Sequence, residues 1–473
     1  MAKFYITAAI PYVNSLPHIG HALEFIQTDV IARYRRLLGD DVLKLSGGDE
    51  NALKNVQAAE KAGTPLQDFI DKNSEFFREL TVKLNAPFDV WQRGSDTEHH
   101  YPSSQELWRR CNKNGDIYKK SYKGLYCVGC EAFYSPDELN DQGECFEHPG
   151  KKLDEVEEKN YFFKLSKYQE RLISLISSGD LEIAPENRKN EVLSFLKSGL
   201  KDISVSRSNQ RARDWGVPVP DDPSQRIYVW FDALNIYQSG IGFGWDDVMY
   251  KKWWPANLHV IGKGIIRFHA VYWPAFLMSA GLATPKKLFV HEYFTVDGQK
   301  MSKTVGNVYD PMPVLNKLGA DPLRYYCLAK ISPFADGDFS EEKFYSSYNS
   351  DLANGIGNLV SRVATMAEKI SLVVPETKSD LSVDVATALD LYQFDRALKN
   401  IWLKIKEADT LINERKVWAL KGKEQKEILT DLVKRIRQIG TDLQPFLPET
   451  AEKILKQFSG EKISRGDNLF NRL

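Results

Sequence analysis

A continuous apolar run from Lys3 to Ile10, ended by Pro11, predicts a buried strand. From His18 to Leu38 the rhythm changes. Leu23, Ile26, Val30, Tyr34 and Leu37 recur at helical spacing, and Gly39 supplies the stop. Asp41 to Ser46 (DVLKLS) predicts a second strand closed by Gly47 and Gly48; Asn51 to Lys61 predicts a second helix, and Thr64-Pro65 opens a third. Strands alternating with helices predict a parallel sheet built from βαβ units. Such sheets take ligands beyond the carboxyl ends of their strands, so the Pro11–His21 and Gly47–Asn51 loops are candidate site walls.

The alternation fades near Asn114, and the mixed stretch from Asp116 to Asp222 reads as an insertion. Strand patterns return at Arg226–Phe231 (RIYVWF), Leu258–Ile261 (LHVI) and Lys287–Val290. Beyond Phe344 none recurs. Amphipathic helical patterns cover Asn349–Ser371, Asp384–Asn413, Glu424–Gln444 and Thr450–Phe458, with an inter-helix loop over Thr377–Ser382, and predict a separate helix bundle. The expected fold is α/β: a parallel-sheet domain in two halves (1–115 and 223–290) around an insertion (116–222), then a connecting region (291–345) and an all-α domain (346–473).

Composition narrows this picture. A chain of 473 residues exceeds one compact core. With 42% hydrophobic and 27% charged residues it reads as soluble and globular. A net charge of −1 announces no nucleic-acid partner, so any RNA surface must be a local patch. The opening MAKFYITAAIPYVN lacks the apolar stretch of a signal peptide. The most apolar window, Val271–Ala283, contains Pro274 and is too short to span a bilayer, so no membrane association is expected. Five cysteines without an export signal point to the reducing cytoplasm and not to a disulfide framework. Cys111 and Cys327 fall in predicted helices and read as buried thiols.

Three motifs carry chemistry. His18-Ile19-Gly20-His21 stands where a strand hands over to a helix. A helix N-terminus binds anions, Gly20 lets a nucleotide approach the backbone, and both histidines can donate to phosphate oxygens. Alone, the tetrapeptide is also what a helix entry with two surface histidines looks like. Lys300-Met301-Ser302-Lys303-Thr304 follows a turn at Asp297-Gly298 and precedes Gly306. Two lysines on such a loop can neutralise charge developing on departing pyrophosphate. Cys127-x2-Cys130 with Cys145-x2-His148, among Gly129, Gly143 and Gly150, has zinc-ligand spacing. Three thiolates and an imidazole fill a tetrahedral shell, so the Zn2+ is expected to be structural.

HIGH followed by KMSKT resembles the class I aminoacyl-tRNA synthetases, whose final signature residue is usually Ser where Thr304 stands. Segments along the whole chain are similar, more narrowly, to the methionyl-tRNA synthetases. They are Ala8–Asn14 (AAIPYVN), Tyr228–Ala233 (YVWFDA), Phe268–Pro274 (FHAVYWP), Thr295–Thr304 (TVDGQKMSKT), Ala335–Ser340 (ADGDFS) and Asp351–Arg362 (DLANGIGNLVSR). The resemblance implies a Rossmann-like catalytic domain carrying an inserted zinc-bearing connective domain, followed by an anticodon-binding helix bundle. It implies methionine activation by ATP, with Mg2+, and transfer of methionine to the 3′ adenosine of tRNA(Met).

By that similarity, Ile10, Tyr12, Trp230, Ala233, Leu234, Tyr237, His269 and Trp273 enclose the methionine side chain and Asp49 receives its ammonium. ATP is expected at His18, Gly20, His21, Gly262, Lys300, Ser302 and Lys303, of which His18, His21, Lys300 and Lys303 are catalytic. Asn358, Arg362 and Trp418 are expected to read the CAU anticodon, and Asn358 and Arg362 share a helix face. Lys399, Lys404, Lys421, Lys423 and Arg435 are candidate phosphate contacts or solvated helix faces. Some relatives add a dimerising tRNA-binding domain that has no counterpart here, so a monomer is expected.

The chain departs from the family's pattern at Gly264, where an Asp is usual, and at Asn51, where many relatives have His. Gly264 keeps one rival open: a catalytically silent relative that only binds tRNA. A class I enzyme for another amino acid is disfavoured, because the stretch from His21 to Lys300 is too short for a large editing insert and no cysteine precedes HIGH. A generic nucleotidyltransferase would explain HIGH but not the helical tail.

Overall fold

The structure, a computed structural model, describes residues 2–129, 132–134, 139–145, 150–296, 298–301, 307–375, 379–460 and 462–473, the side chains at 122, 132, 133 and 300 excepted. Of the candidates above, Cys130, His148, Ser302, Lys303 and the side chain of Lys300 lie outside the described residues, as do Asp297, Thr304, Gly306, Thr377 and Lys378. The chain forms two compact units that do not follow sequence order. One comprises residues 1–17, 39–79 and 88–291; the other comprises 18–38, 80–87 and 292–473.

The first unit is built on a six-stranded parallel sheet in the order Val90–Arg93, Asp41–Gly48, Lys3–Ala8, Leu258–Gly262, Lys287–His291, Glu182–Ala184. Leu258–Gly262 is buried at every position, as a parallel strand covered on both faces requires. Strand order reverses between Lys3–Ala8 and Leu258–Gly262, which makes that pair the topological switch point, where such sheets bind ligands. Across this pair Thr7 faces His259, and Thr7 Oγ1 lies 2.6 Å from His259 Nδ1.

The strand expected over Arg226–Phe231 is corrected. The strand spans Asp222–Ile227, and Val229–Ala233 is a helical turn. The apolar letters of that segment are core because both its faces are buried, not because it is extended. Within the insertion, Ala132–Tyr134, Ile117–Cys127, Asp154–Phe163 and Ile203–Ser204 form an antiparallel sheet.

The second unit begins with the helix Ile19–Leu37 and contains a small sheet in which Phe294–Val296 lies between Gln299–Lys300 and Gly337–Phe339. Its helices include Ala320–Ala329, Phe394–Glu414, Gly422–Leu443 and Pro448–Phe458. The helix predicted over Asn349–Ser371 starts as a π-helix, Tyr348–Gly357, and continues as the α-helix Asn358–Lys369. The one predicted over Asp384–Asn413 is broken near Tyr392, whose φ of 57° no α-helix accepts. Asp29 on the first helix is buried, and its carboxylate meets Arg33 at 2.6 Å and Arg324 at 2.8 Å. Among the described residues no helix is long and apolar enough to cross a membrane.

Candidate active site

The HIGH segment closes the N-terminus of Ile19–Leu37 with a reciprocal cap. His18 is extended, its Nδ1 accepts the Gly20 N–H at 3.1 Å, and His21 Nδ1 accepts the His18 N–H at 3.1 Å. The two rings lie 3.9 Å apart. Because each Nδ1 accepts a backbone N–H, each neutral ring must carry its proton on Nε2. The cap therefore fixes both histidines as donors, the role a phosphate needs. A Cβ on Gly20 would sit 3.0 Å from the His18 ring, tight against the cap, and in ordinary contact with Met301 Cε at 3.4 Å, so the capped ring and Met301 both lie close over this glycine.

Met301 brings the second motif to the first. Gln299–Lys300 pairs antiparallel with Phe294–Val296. The reversal passes through Gly298, whose φ is 74° and whose N–H donates to Asp338 Oδ1 at 2.7 Å. Asp338 also binds Thr295 Oγ1 and Lys343 Nζ, and the Lys343 contact holds its carboxyl below the usual range.

The nine residues expected to bind methionine all belong to the first unit. Ile10 and Tyr12 follow the Lys3–Ala8 strand at the switch point, and Asp49 follows Asp41–Gly48. The ladder runs on past the sheet: the Asp49 N–H donates to Pro11 O at 2.9 Å, and Tyr12 bridges Asp49. Trp230 meets Tyr12 edge-on at 6.2 Å and stacks on Phe268 at 3.7 Å. Trp230, Ala233, Leu234, Tyr237, His269 and Trp273 are all buried.

His269 lies in a π-helical turn, Phe268–Tyr272, a widened turn often found at functional sites. Ile265 O can only accept, so His269 Nδ1 donates to it at 2.9 Å; Nε2 then accepts from Tyr237 OH at 2.8 Å. Burial lowers the His269 pKa to about 4, against a smaller opposing effect of the Ile265 bond. His259, 6.2 Å away, is likewise held neutral by burial, and its Nε2 has no partner among the described residues. Gly262 ends the neighbouring strand. Gly264 lies in the short turn Lys263–Ile265, and nothing in the structure explains its replacement of the usual Asp.

Asn51 does have a structural account. Its Nδ2 donates to Gly94 O and to Asp232 Oδ2, both at 2.7 Å. The other oxygen of Asp232 accepts from Ser104 Oγ at 2.7 Å and from His100 Nε2 at 2.8 Å. None of these partners was singled out from sequence. The available signal was one carboxylate inside the apolar YVWFDAL.

Cys127 and Cys145 are buried, with their sulfurs 3.2 Å apart. Cys111 and Cys327 are buried thiols, as expected; desolvation raises the Cys111 pKa to about 12 and that of Cys327 further. In the second unit Arg362 lies over the Trp418 ring at 5.7 Å and binds Asp409 at 3.1 Å and Asn413 at 2.8 Å. Asn358 stands one turn before it, and Trp418 is 53% exposed, enough to offer a ring face. Lys404 and Arg435 are engaged in ion pairs with Asp384, Asp442 and Asp431.

A parallel sheet with a switch point in the first unit, and in the second a histidine-capped helix with Met301 near its Gly20, are the features of a class I tRNA synthetase. The sequence model of that family, "tRNA synthetases class I (M)", matches residues 4–364. The chain is 41% identical to the methionine–tRNA ligase of Thermotoga maritima, over 99% of this chain and 77% of that one. It is 44% identical to the Rhizobium meliloti enzyme, over 96% and 91%. The structure of Mycobacterium tuberculosis methionyl-tRNA synthetase bound by methionyl-adenylate superposes with a TM-score of 0.91 at 37% identity, covering 99% of this chain and 100% of that one. The chain belongs to the methionyl-tRNA synthetase family.

Proposed function

We propose that this chain activates L-methionine with ATP, releasing pyrophosphate, and transfers the methionyl group to the 3′ adenosine of tRNA(Met). The observation that carries the reading is the joining of both class signatures in one unit: the reciprocal His18–His21 cap with Met301 against Gly20. A protein that only binds RNA needs neither.

In this reading each candidate residue has one task. The ammonium of methionine pairs with Asp49, and its thioether enters the aromatic wall of Tyr12, Trp230, Tyr237, His269 and Trp273, where a polarizable sulfur gains from ring edges. The methionine carboxylate attacks the α-phosphorus of ATP, which enters as its Mg2+ complex. His18 and His21 donate through Nε2 to phosphate oxygens as charge builds, and Lys300 and Lys303 neutralise the departing pyrophosphate. Gly20, Gly262 and Ser302 complete the ATP contacts. Asn358, Arg362 and Trp418 read the anticodon, the ring by stacking and the polar groups by hydrogen bonds. Cys127, Cys130, Cys145 and His148 would hold a structural Zn2+; two buried facing thiols fit half of that donor set.

The test is ATP–pyrophosphate exchange with each amino acid in turn. Exchange with methionine alone is expected. Exchange with another amino acid would overturn the pocket assignment. No exchange with any, on folded zinc-loaded protein, would leave the silent tRNA-binding reading.

A further inference from the structure

Two consecutive short turns, Val229–Ala233 and Ile236–Ser239, carry the side-chain wall of the methionine pocket. Their two faces differ in chemistry. Trp230, Ala233, Leu234 and Tyr237, at helical spacing, make the wall; Asp232, Asn235 and Ser239, at the same spacing, make a polar face. That polar face is buried and docks on the helix His100–Lys113. Asn235 Nδ2 donates to Ser103 Oγ at 2.9 Å, and His100 Nδ1 lies 2.8 Å from Ser239 Oγ. The remaining oxygen of Asp232 takes the Asn51 amide, two residues beyond Asp49.

The Asp49 loop is pinned at each neighbouring position. Asn55 Nδ2 donates to Asp49 O at 2.8 Å. The buried Glu50 carboxylate binds Arg93 at 2.8 Å and Ser95, and Trp215 Nε1 donates to Glu50 O at 2.8 Å. Of these contacts, only the one from Asn51 to Asp232 runs directly to the turn that carries Trp230.

We propose that the Asn51–Asp232 hydrogen bond is a positioning strap that sets the separation between the carboxylate receiving the substrate's ammonium and the wall receiving its side chain. Neither residue touches substrate; each acts through a neighbour, Asn51 through Asp49 and Asp232 through Trp230. The inference rests on the methionine-pocket reading above. A strap of this kind governs methionine binding and leaves ATP binding alone.

The test uses the whole enzyme in ATP–pyrophosphate exchange, with methionine and ATP varied separately. Asn51→Ala leaves a buried carboxylate oxygen without its donor, and the methionine KM is expected to rise roughly tenfold or more, while the ATP KM stays within about twofold. Asn51→Asp adds a pH readout. Two facing carboxylates share one proton, so its methionine KM is expected to lie high at about pH 8 and fall toward about pH 6, as the introduced carboxyl gains a proton to donate. This second variant keeps the idea testable if Asn51→Ala does not fold. Trp230→Ala separates the two levels of argument. If it leaves the methionine KM unchanged, the pocket reading fails. If it raises that KM while both Asn51 variants, folded, keep wild-type values, the strap alone fails. Equal losses for methionine and ATP would also overturn the strap, since they indicate general loosening.

Discussion

Arg324 is the sharpest test of how the second unit holds the HIGH helix. The guanidinium is fully buried. Its Nη1 binds Asp29 at 2.8 Å and Leu84 O at 3.2 Å, its Nε donates to Phe446 O at 2.7 Å, and its Nη2 donates to Pro445 O at 3.0 Å. One side chain thus ties the helix carrying His18 and His21 to the Pro445–Phe446 segment that leads into the last bundle helix. In Arg324→Ala, Asp29 keeps only Arg33 of these two cations, and four carbonyls, those of Leu84, Asn85, Pro445 and Phe446, lose a charged donor. Breaking a buried pair costs about 3–5 kcal/mol; Arg33 places this case toward the middle, about 4 kcal/mol. For a unit of roughly 200 residues, at about 2–4 °C per kcal/mol, the melting transition should fall by roughly 8–16 °C. Arg324→Lys should recover little, because a point charge with one nitrogen cannot serve acceptors on three sides. Scanning calorimetry reads the shift, and pyrophosphate exchange should fall with it as the capped helix end loosens. A drop below about 3 °C in Arg324→Ala would refute the reasoning, because less than about 1 kcal/mol is the scale of an exposed ion pair.

His269 should make stability depend on pH in a known direction. The unfolded ring takes its proton near 6.5 and the folded one only near about 4, so its contribution is complete above 6.5 and about 3 kcal/mol is lost as pH falls to 4. Urea midpoints should decline over that window, and less steeply in His269→Gln; equal slopes would remove His269 from the effect. Trp418→Ala should leave methionine-dependent exchange intact while charging of tRNA falls roughly tenfold or more, on the scale of one lost stacking contact; unchanged charging would end its anticodon role. Lys300→Ala should slow activation by roughly ten- to a thousand-fold in single-turnover assays, as loss of one preorganised charge does. Unaltered kinetics there would take Lys300 out of the transition state.

What was legible in the sequence follows periodicity and punctuation. The Lys3–Ala8, Asp41–Gly48, Leu258–Gly262 and Lys287–His291 strands and the Gly422–Leu443 and Pro448–Phe458 helices appear where apolar spacing placed them, within a few residues. The segment after Ile227 was misread because a short apolar run does not separate a strand from a buried turn. The π-helical stretches at Phe268–Tyr272 and Tyr348–Gly357 were illegible, since one widened turn barely disturbs a helical pattern. The candidate reacting groups were nameable from motifs. Their supports were not: Asp232, His100 and Ser104 lie far apart in the chain and pair only after folding, as do Asp29 and Arg324. The HIGH histidines were legible as donors, but that their own backbone amides fix the tautomer was not.

Four histidines of this chain show how environment divides one residue type into two tools. His18 and His21 are half-buried at a helix start, where backbone N–H groups occupy Nδ1 and leave Nε2 to donate. His269 and, beside it, His259 are buried among aromatic rings, where desolvation keeps them neutral. The difference matters for selecting an uncharged thioether. A protonated His269 would lose the acceptor that Tyr237 needs and would place a cation against Trp230 and Tyr237. Among the nine residues of the proposed pocket Asp49 is the one carboxylate, and a neutral His269 adds no charge of its own to the wall. In the proposed pocket a substrate ammonium would pair at the Asp49 end only, so orientation and rejection of cationic side chains would follow from the same arrangement: one carboxylate at the strand end and a histidine kept neutral by burial in the wall.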